Sequence, residues 1–365
     1  MYVMSSEPSI DQSVAELCAS KPPDYDMKDS EDSGCWPHLE PTLQYCETAV
    51  SPAYYAADSA ARRHQRRHKW LVLIAAIGGM FAVLLAIMQL YLVGSETPLI
   101  GASLVQAAEI VAAAVAGLAV ALGLLAVFSS KWLLERERAE RCRLVKFRFL
   151  LTPELWSRAQ PEDRLALQKL LRSQIERVEA LDEKSLDDWA RGKGEVLEAT
   201  PPQAAPAGLD EEVLTQLIGY YEKKRLKYQQ QYYEHQIGRH NYWERHTRRV
   251  PYLLFFLSVL AALGHFVYDL VTGTHGEPVS STLVVLAASL PVVGIAVRTW
   301  RAAHEFGRNT LRFEATSNEL KRLAGDLQKE NSPQMKLEVL RHIEKVLEAE
   351  RREWLRLMRE TEWFG

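Results

Sequence analysis

Four apolar runs constrain this chain more than any other feature. WLVLIAAIGGMFAVLLAIMQLYLV (Trp70–Val93) has no charge in 24 positions. LVQAAEIVAAAVAGLAVALGLLAVF (Leu104–Phe128), YLLFFLSVLAALGHFVYDLV (Tyr252–Val271) and VSSTLVVLAASLPVVGIAVRTW (Val279–Trp300) follow it. Each is close to the ~20 residues with which a helix, rising 1.5 Å per residue, crosses a ~30 Å hydrocarbon core. Short turns, Gly94–Pro98 and TGTHGEP from Thr272 to Pro278, join the runs into two hairpins. Pro291 is expected to kink the fourth span.

The same order of events occurs twice: a basic segment, an apolar hairpin, then a charged amphipathic helix. The expected fold is an all-α membrane protein of two repeated units, each a transmembrane hairpin with cytoplasmic amphipathic helices. Residues 1–53 read as a disordered acidic tail, 54–190 as the first unit, 191–209 as a Pro/Ala linker and 210–365 as the second unit. The tail reading rests on Ser, Pro, Asp and Glu enrichment: residues 1–50 hold ten acidic residues against Lys21 and Lys28, too little apolar surface to offset the entropy of ordering. The first apolar run begins only at Trp70, so no cleavable signal peptide is expected.

Orientation follows from cations. Five Lys or Arg precede the first span, seven lie between Ser129 and Arg148 after the second, four precede the third and four follow the fourth, while the two turns hold none. Under the positive-inside rule both termini and both helical regions are cytoplasmic. In the second span, Ala113, Gly117 and Ala121 share one small-residue face and Ala112 and Ala116 another, which permits close helix approach, most simply within the hairpin.

The polar segments are amphipathic. Leu167, Leu170, Leu171, Ile175 and Val178 recur at helical spacing between Pro161 and Trp189. Asp210 is placed to cap a long helix with Glu211 and Glu212 in its first turn. Seven aromatics between Tyr220 and Trp243 are interleaved with Lys, Arg and Gln, which a helix nearing the membrane interface explains better than base stacking does. Phe313, Leu320 and Leu327, then Leu340, Leu347 and Trp354, recur every seven residues. These helices are too short to stand alone and need a neighbour, in the chain or in another subunit. Leu340, Leu347 and Trp354 are thus the candidate assembly residues, in a homo-oligomer.

No phosphate-binding glycine loop, nucleophile elbow or metalloprotease helix is present, so no enzyme, metal or cofactor is expected, and nucleic acid is not an expected partner. Cys18, Cys35, Cys46 and Cys142 show neither disulfide nor zinc spacing. Cys142 reads as a small helical residue rather than a palmitoylation site. Three ionisable residues lie inside spans: Glu109 in the second, and His265 and Asp269 one turn apart on the third. They could line a polar path or share a proton, but counting back from the cytoplasmic ends puts all three near the outer interface, where water satisfies them.

Several stretches resemble one bacterial family. WLLERERAERCRLVKFRFL (Trp132–Leu150), YYEHQIGRHNYWERH before the third span, LPVVGIAVRTWRAAHEFGR at the end of the fourth, and VLEAERREWLRLM with Trp354 are similar to the SLATT domains, two-transmembrane effectors that associate with SMODS nucleotidyltransferases and SLOG sensors. The resemblance covers about residues 54–365 and implies a bacterial inner-membrane effector in a nucleotide-sensing, anti-phage conflict system, acting by pore formation or membrane disruption. It also implies that the nucleotide-sensing or nucleotidyltransferase partner is a separate protein, because a 53-residue leader is too short for a Rossmann-like sensor. A scaffold that recruits partners through its cytoplasmic helices without permeabilising the bilayer is the alternative.

Overall fold

The computed structural model describes residues 24–29, 34–94, 99–125, 128–156, 161–191, 210–273, 278–304 and 306–360. Among them every regular element is helical. The helices are α1 (Glu40–Gly94), α2 (Leu99–Leu125), α3 (Phe128–Leu150), α4 (Pro153–Trp156), α5 (Pro161–Glu179), α6 (Glu183–Ala190), α7 (Glu211–Tyr221), α8 (Lys227–Thr272), α9 (Pro278–His304), α10 (Phe306–Lys329) and α11 (Pro333–Glu360). A 3₁₀ turn (Tyr25–Met27) precedes α1, and a π-helical turn (Glu222–Leu226) joins α7 to α8. Asp182 caps α6 by accepting from Ser185 N at 2.7 Å, which splits the helix expected over 161–189. Asp210 caps α7 through Glu212 N at 3.0 Å, as its position predicts.

Four helices are long and apolar enough to cross a membrane. The chain divides into two compact units that do not coincide with its two halves. One, the helical body, collects Met1–Ala61, Leu133–Gly238 and Leu311–Met358; the other, the membrane unit, collects Arg62–Trp132, Arg239–Thr310 and Arg359–Gly365. Both halves of the sequence feed both units.

In the membrane unit the hairpins close through small residues and one hydroxyl. A Cβ built on Gly78 of α1 would lie 3.2 Å from the Ala116 Cβ and 3.4 Å from the Ala112 carbonyl of α2, so the Ala112/Ala116 face serves the first hairpin. Gly117 has nothing within 4 Å. In the second hairpin the Gly294 position lies 3.6 Å from the backbone of Pro251, and Ser258 donates to the Ala287 carbonyl at 2.6 Å. Helix α9 continues through Pro291. Leu90, Ile110, Leu118, Leu270 and Ile295 face outward, as apolar side chains meeting lipid do.

The body corrects the expectation of a disordered tail. Residues 24–29 and 34–53 are ordered, and the helix that carries the first span begins at Glu40; residues 1–23, with Cys18, lie outside those described. Leu39, Leu43, Cys46, Val50, Tyr54 and Ala57 form a buried stripe at helical spacing. Polar composition masks it, because the stripe is one residue wide. It packs with Val145 and Phe147 of α3, Leu171, Ile175 and Val178 of α5, Leu217 and Tyr220 of α7, and Leu320 and Leu323 of α10. Each large apolar side chain buried this way contributes up to about 1.5–3 kcal/mol.

Two further expectations change in the body. Leu340 and Leu347 of α11 are buried in this chain's own core, beside Phe313, Leu320 and Leu327, and Trp354 is half-buried. Leu340 and Leu347 are therefore not an exposed assembly face: an amphipathic helix in water covers its stripe with the nearest apolar partner, which the same chain supplies. Likewise Tyr220, Tyr221, Tyr228 and Tyr233 are buried in the body and do not serve as interface anchors. Trp243 belongs instead to an aromatic cluster of the membrane unit, its ring 5.3 Å from Trp300 and 6.4 Å from Phe306.

Candidate functional site

Of the three ionisable residues in the spans, the structure brings two together. His265 and Asp269 stand one turn apart on α8, and Ser280, 1% exposed at the start of α9, reaches both. Its hydroxyl donates to Asp269 Oδ1 at 2.7 Å and lies 2.8 Å from His265 Nδ1. A hydroxyl has one proton, so when it serves the carboxylate the imidazole Nδ1 must be the donor to Ser280. His265 Nε2 is 3.7 Å from Asp269 Oδ2, long for a hydrogen bond and within ion-pair range. The triad ties the two spans beside their turn. Ser280 escaped the sequence reading because a serine after a turn carries no periodic signal.

Glu109 stands apart. It is half-buried on α2, and among the described residues no hydrogen bond or ion pair reaches it. A carboxylate within a span needs water or a partner.

The body holds a second polar cluster, which sequence reasoning missed. Its centre is the segment Tyr25–Asp29, whose Asp26 is 0% and Asp29 7% exposed. Arg225 forks onto Glu344, with Nε to Oε1 at 2.9 Å and Nη2 to Oε2 at 3.1 Å, and gives Nη1 to Asp26 Oδ2 at 3.2 Å. Arg143 faces Asp26 Oδ1 at 3.3 Å and donates to Glu140 at 2.8 Å. Lys146 pairs with Asp29 Oδ2 at 2.8 Å and donates to the Asp26 carbonyl at 2.7 Å. Lys224 donates to the carbonyls of Lys28 and Tyr25 at 2.6 and 3.3 Å. Tyr220 donates to Asp29 at 2.7 Å and Tyr221 to Glu344 at 2.6 Å.

Part of this cluster sits in the π turn. Neighbours on an α-helix point about 100° apart, since 3.6 residues make a turn. The turn over Glu222–Leu226 carries Lys224 and Arg225 at 0% and 4% exposure, and α3 likewise buries consecutive Val145, Lys146 and Phe147. Single π turns inside α-helices recur at functional sites.

Among the described residues, Arg143, Lys146, Lys224 and Arg225 meet Asp26, Asp29, Glu140 and Glu344, with Arg136 also on Glu140 at 2.6 Å, and the N-terminal segment supplies two of these carboxylates. Buried pairs of this kind contribute little net stability, yet removing one partner is costly. At the cluster's edge, burial would lift the Glu140 carboxyl, but Arg136 and Arg143, with Arg351 and Arg225, hold it down at about 2. Burial raises Glu350 on α11, with Arg312 opposing it. Burial and then the Glu179 charge push the Cys142 thiol up to about 12, so this buried cysteine is a poor nucleophile.

Comparison with known families assigns the second hairpin. Residues 221–354 match the model of SMODS and SLOG-associating 2TM effector domain 1. The matched stretch runs from the edge of the π turn to Trp354 and includes Lys224, Arg225 and Glu344, whereas Asp26, Arg143 and Lys146 lie outside it. No curated protein and no solved structure matches the chain.

Proposed function

We propose that this multi-pass membrane protein, whose residues 221–354 form a SLATT effector domain, is the membrane-acting component of a bacterial nucleotide-sensing, anti-phage conflict system. In this reading residues 54–190 are a divergent second copy of the unit, and both termini face the cytoplasm of an inner-membrane protein. The chain self-associates and opens the bilayer when a separate nucleotide-sensing or nucleotidyltransferase protein signals.

The observation that carries self-association is Glu109, a carboxylate in an apolar span with no intrachain partner among the described residues. A second subunit or an aqueous path would supply one. The outward Ala113 and Gly117 offer the close approach that helices in lipid use.

The test is inducible expression in a bacterial host, followed with a membrane-potential dye and blue-native electrophoresis. Depolarisation together with a higher-order complex supports the proposal. A stable complex that never depolarises the membrane, even with its cognate sensor active, defeats the pore and leaves a scaffold. Orientation is tested separately, with single cysteines at Ser95 and Thr274 in a cysteine-free background. Both should label from outside with an impermeant reagent.

A further inference from the structure

The segment Tyr25–Asp29 is seated in the body as a ligand is seated in a protein. It lies outside the long helices, yet Tyr25, Asp26 and Met27 are 7%, 0% and 0% exposed. It also brings to its surroundings half of the carboxylates that balance them. Its backbone takes part too, the carbonyls of Tyr25, Asp26 and Lys28 accepting from Lys224 and Lys146.

Lys146 depends on the segment most closely. At 1% exposure, its hydrogen-bond and ion-pair partners among the described residues are Asp26 O and Asp29 Oδ2, both in the segment. Were the segment to leave, the Lys146 ammonium would face a cavity that also holds Arg143, Lys224 and Arg225, with Glu344 and Glu140, which Arg136 engages as well, as counter-charges among the described residues. Such a cavity favours an anion, because clustered cations that lose their counter-charges repel one another and are costly to hold wherever water is scarce. What fits is a compact species carrying at least two negative charges. Two arginine forks and two lysines are the donor set that suits phosphate oxygens, and the faces of Phe147 and Tyr220 complete the wall, 4.7 Å from the Arg225 guanidinium and 5.9 Å from Lys146 Nζ. Lys224 and Arg225 also lie in a π turn, a geometry that recurs at functional sites.

We infer that the cavity filled by Tyr25–Asp29 is a phosphate-binding site, that this segment is its internal occupant, and that a phosphate-bearing ligand takes the places of Asp26 and Asp29 on Arg143, Lys146, Lys224 and Arg225. The inference does not depend on the pore, because it concerns binding and segment release, which are read without any conductance measurement. Phosphate could come from a free small molecule or from an anionic lipid headgroup. The experiment separates these sources.

The full chain in phosphatidylcholine nanodiscs is followed by hydrogen–deuterium exchange at the amides of Tyr25–Asp29, with and without inorganic pyrophosphate at matched ionic strength, and again in nanodiscs containing cardiolipin, whose headgroup carries two phosphates. Exchange that accelerates about tenfold or more, the response to a shift of about 1.4 kcal/mol in the opening equilibrium, supports the site. Acceleration by pyrophosphate assigns a soluble ligand, and acceleration with cardiolipin alone assigns a headgroup. Unchanged exchange in both overturns the inference and makes the segment plain core. A second arm measures labelled pyrophosphate binding to the Asp26→Asn/Asp29→Asn variant by equilibrium dialysis. The neutral segment should compete less well, so a folded variant binds about tenfold more tightly than the wild type. Equal affinities count against the site, and if the variant does not fold the wild-type exchange decides alone.

Discussion

Arg225 and Asp26 meet at 3.2 Å although 199 positions separate them. The pair joins a 3₁₀ turn near the start of the chain to the π turn at the start of the stretch that matches the two-transmembrane effector model. Both side chains are nearly out of contact with water, and Glu344 holds the other edge of the guanidinium. The helical body is thus built around charge as well as around its apolar stripe.

Removing that guanidinium should cost far more than the net contribution of the pairs. Arg225→Met leaves Asp26 and Glu344 buried with their main partner gone, a loss of about 3–5 kcal/mol. Arg225→Lys keeps the charge but loses the fork, so it should lie between the variant and the wild type. Denaturant unfolding of the purified protein, followed by circular dichroism, measures both. A Met variant as stable as the wild type would show that the cluster is not closed.

Acid should weaken the body through Glu140. Its carboxyl is held at about 2 against an ordinary 4.5, a depressed value, so the stability it contributes is full above pH 4.5 and lost as pH falls toward 2. The size is about 3 kcal/mol at 1.36 kcal/mol per unit. Glu350, raised by burial, has the opposite sign: its contribution is present below the ordinary value and fades as pH rises through the raised one. Thermal unfolding between pH 5 and about 2 should show a steeper loss for the wild type than for Glu140→Gln. Parallel losses would remove Glu140 from the account.

The hydroxyl that joins His265 to Asp269 should be measurable in the membrane unit. Ser280→Ala leaves the imidazole and the carboxylate without their bridge, while Ser280→Thr retains it. The expected loss is about 1 kcal/mol, the scale of a hydrogen bond between helices in lipid. Unfolding in mixed micelles measures the difference, and an Ala variant equal to the Thr variant would mean that the bridge contributes nothing.

Two glycines separate packing inside the hairpin from packing between chains. Gly78→Val would drive a side chain into Ala116 and the Ala112 carbonyl and should destabilise the first hairpin by about 1–3 kcal/mol, the cost of overpacking. Gly117 has open space around it, so Gly117→Val should leave the monomer intact and weaken only the complex seen on native electrophoresis. If Gly117→Val leaves the complex unchanged, assembly uses another face.

Thiol reactivity should divide the described cysteines. Cys35 is exposed, whereas Cys46 and Cys142 are buried with their thiols pushed to about 12 by burial. In the native protein Cys35 should react with maleimide and the other two only after unfolding. Native labelling of Cys142 would mean that α3 opens.

The amino-acid sequence by itself determined the four spans, their pairing into hairpins, the Asp210 cap and the small Ala112/Ala116 face. Each is a local property: twenty apolar residues or a carboxylate ahead of a helix act within a few turns, whatever the rest of the chain does. Only the tertiary structure decided where the long-range groups went. Leu340 and Leu347 show a seven-residue period that any helix face could cover, and packing assigned them to this chain's core. Ser280 has no pattern until the hairpin closes. Asp26 and Asp29 belong to a stretch that composition marks as too polar to fold. They are buried because Arg143, Lys146 and Arg225, between 117 and 199 positions downstream of their partners, converge on them. A buried charge is stable only beside its counter-charge, and where that lies is a property of the whole fold rather than of any segment.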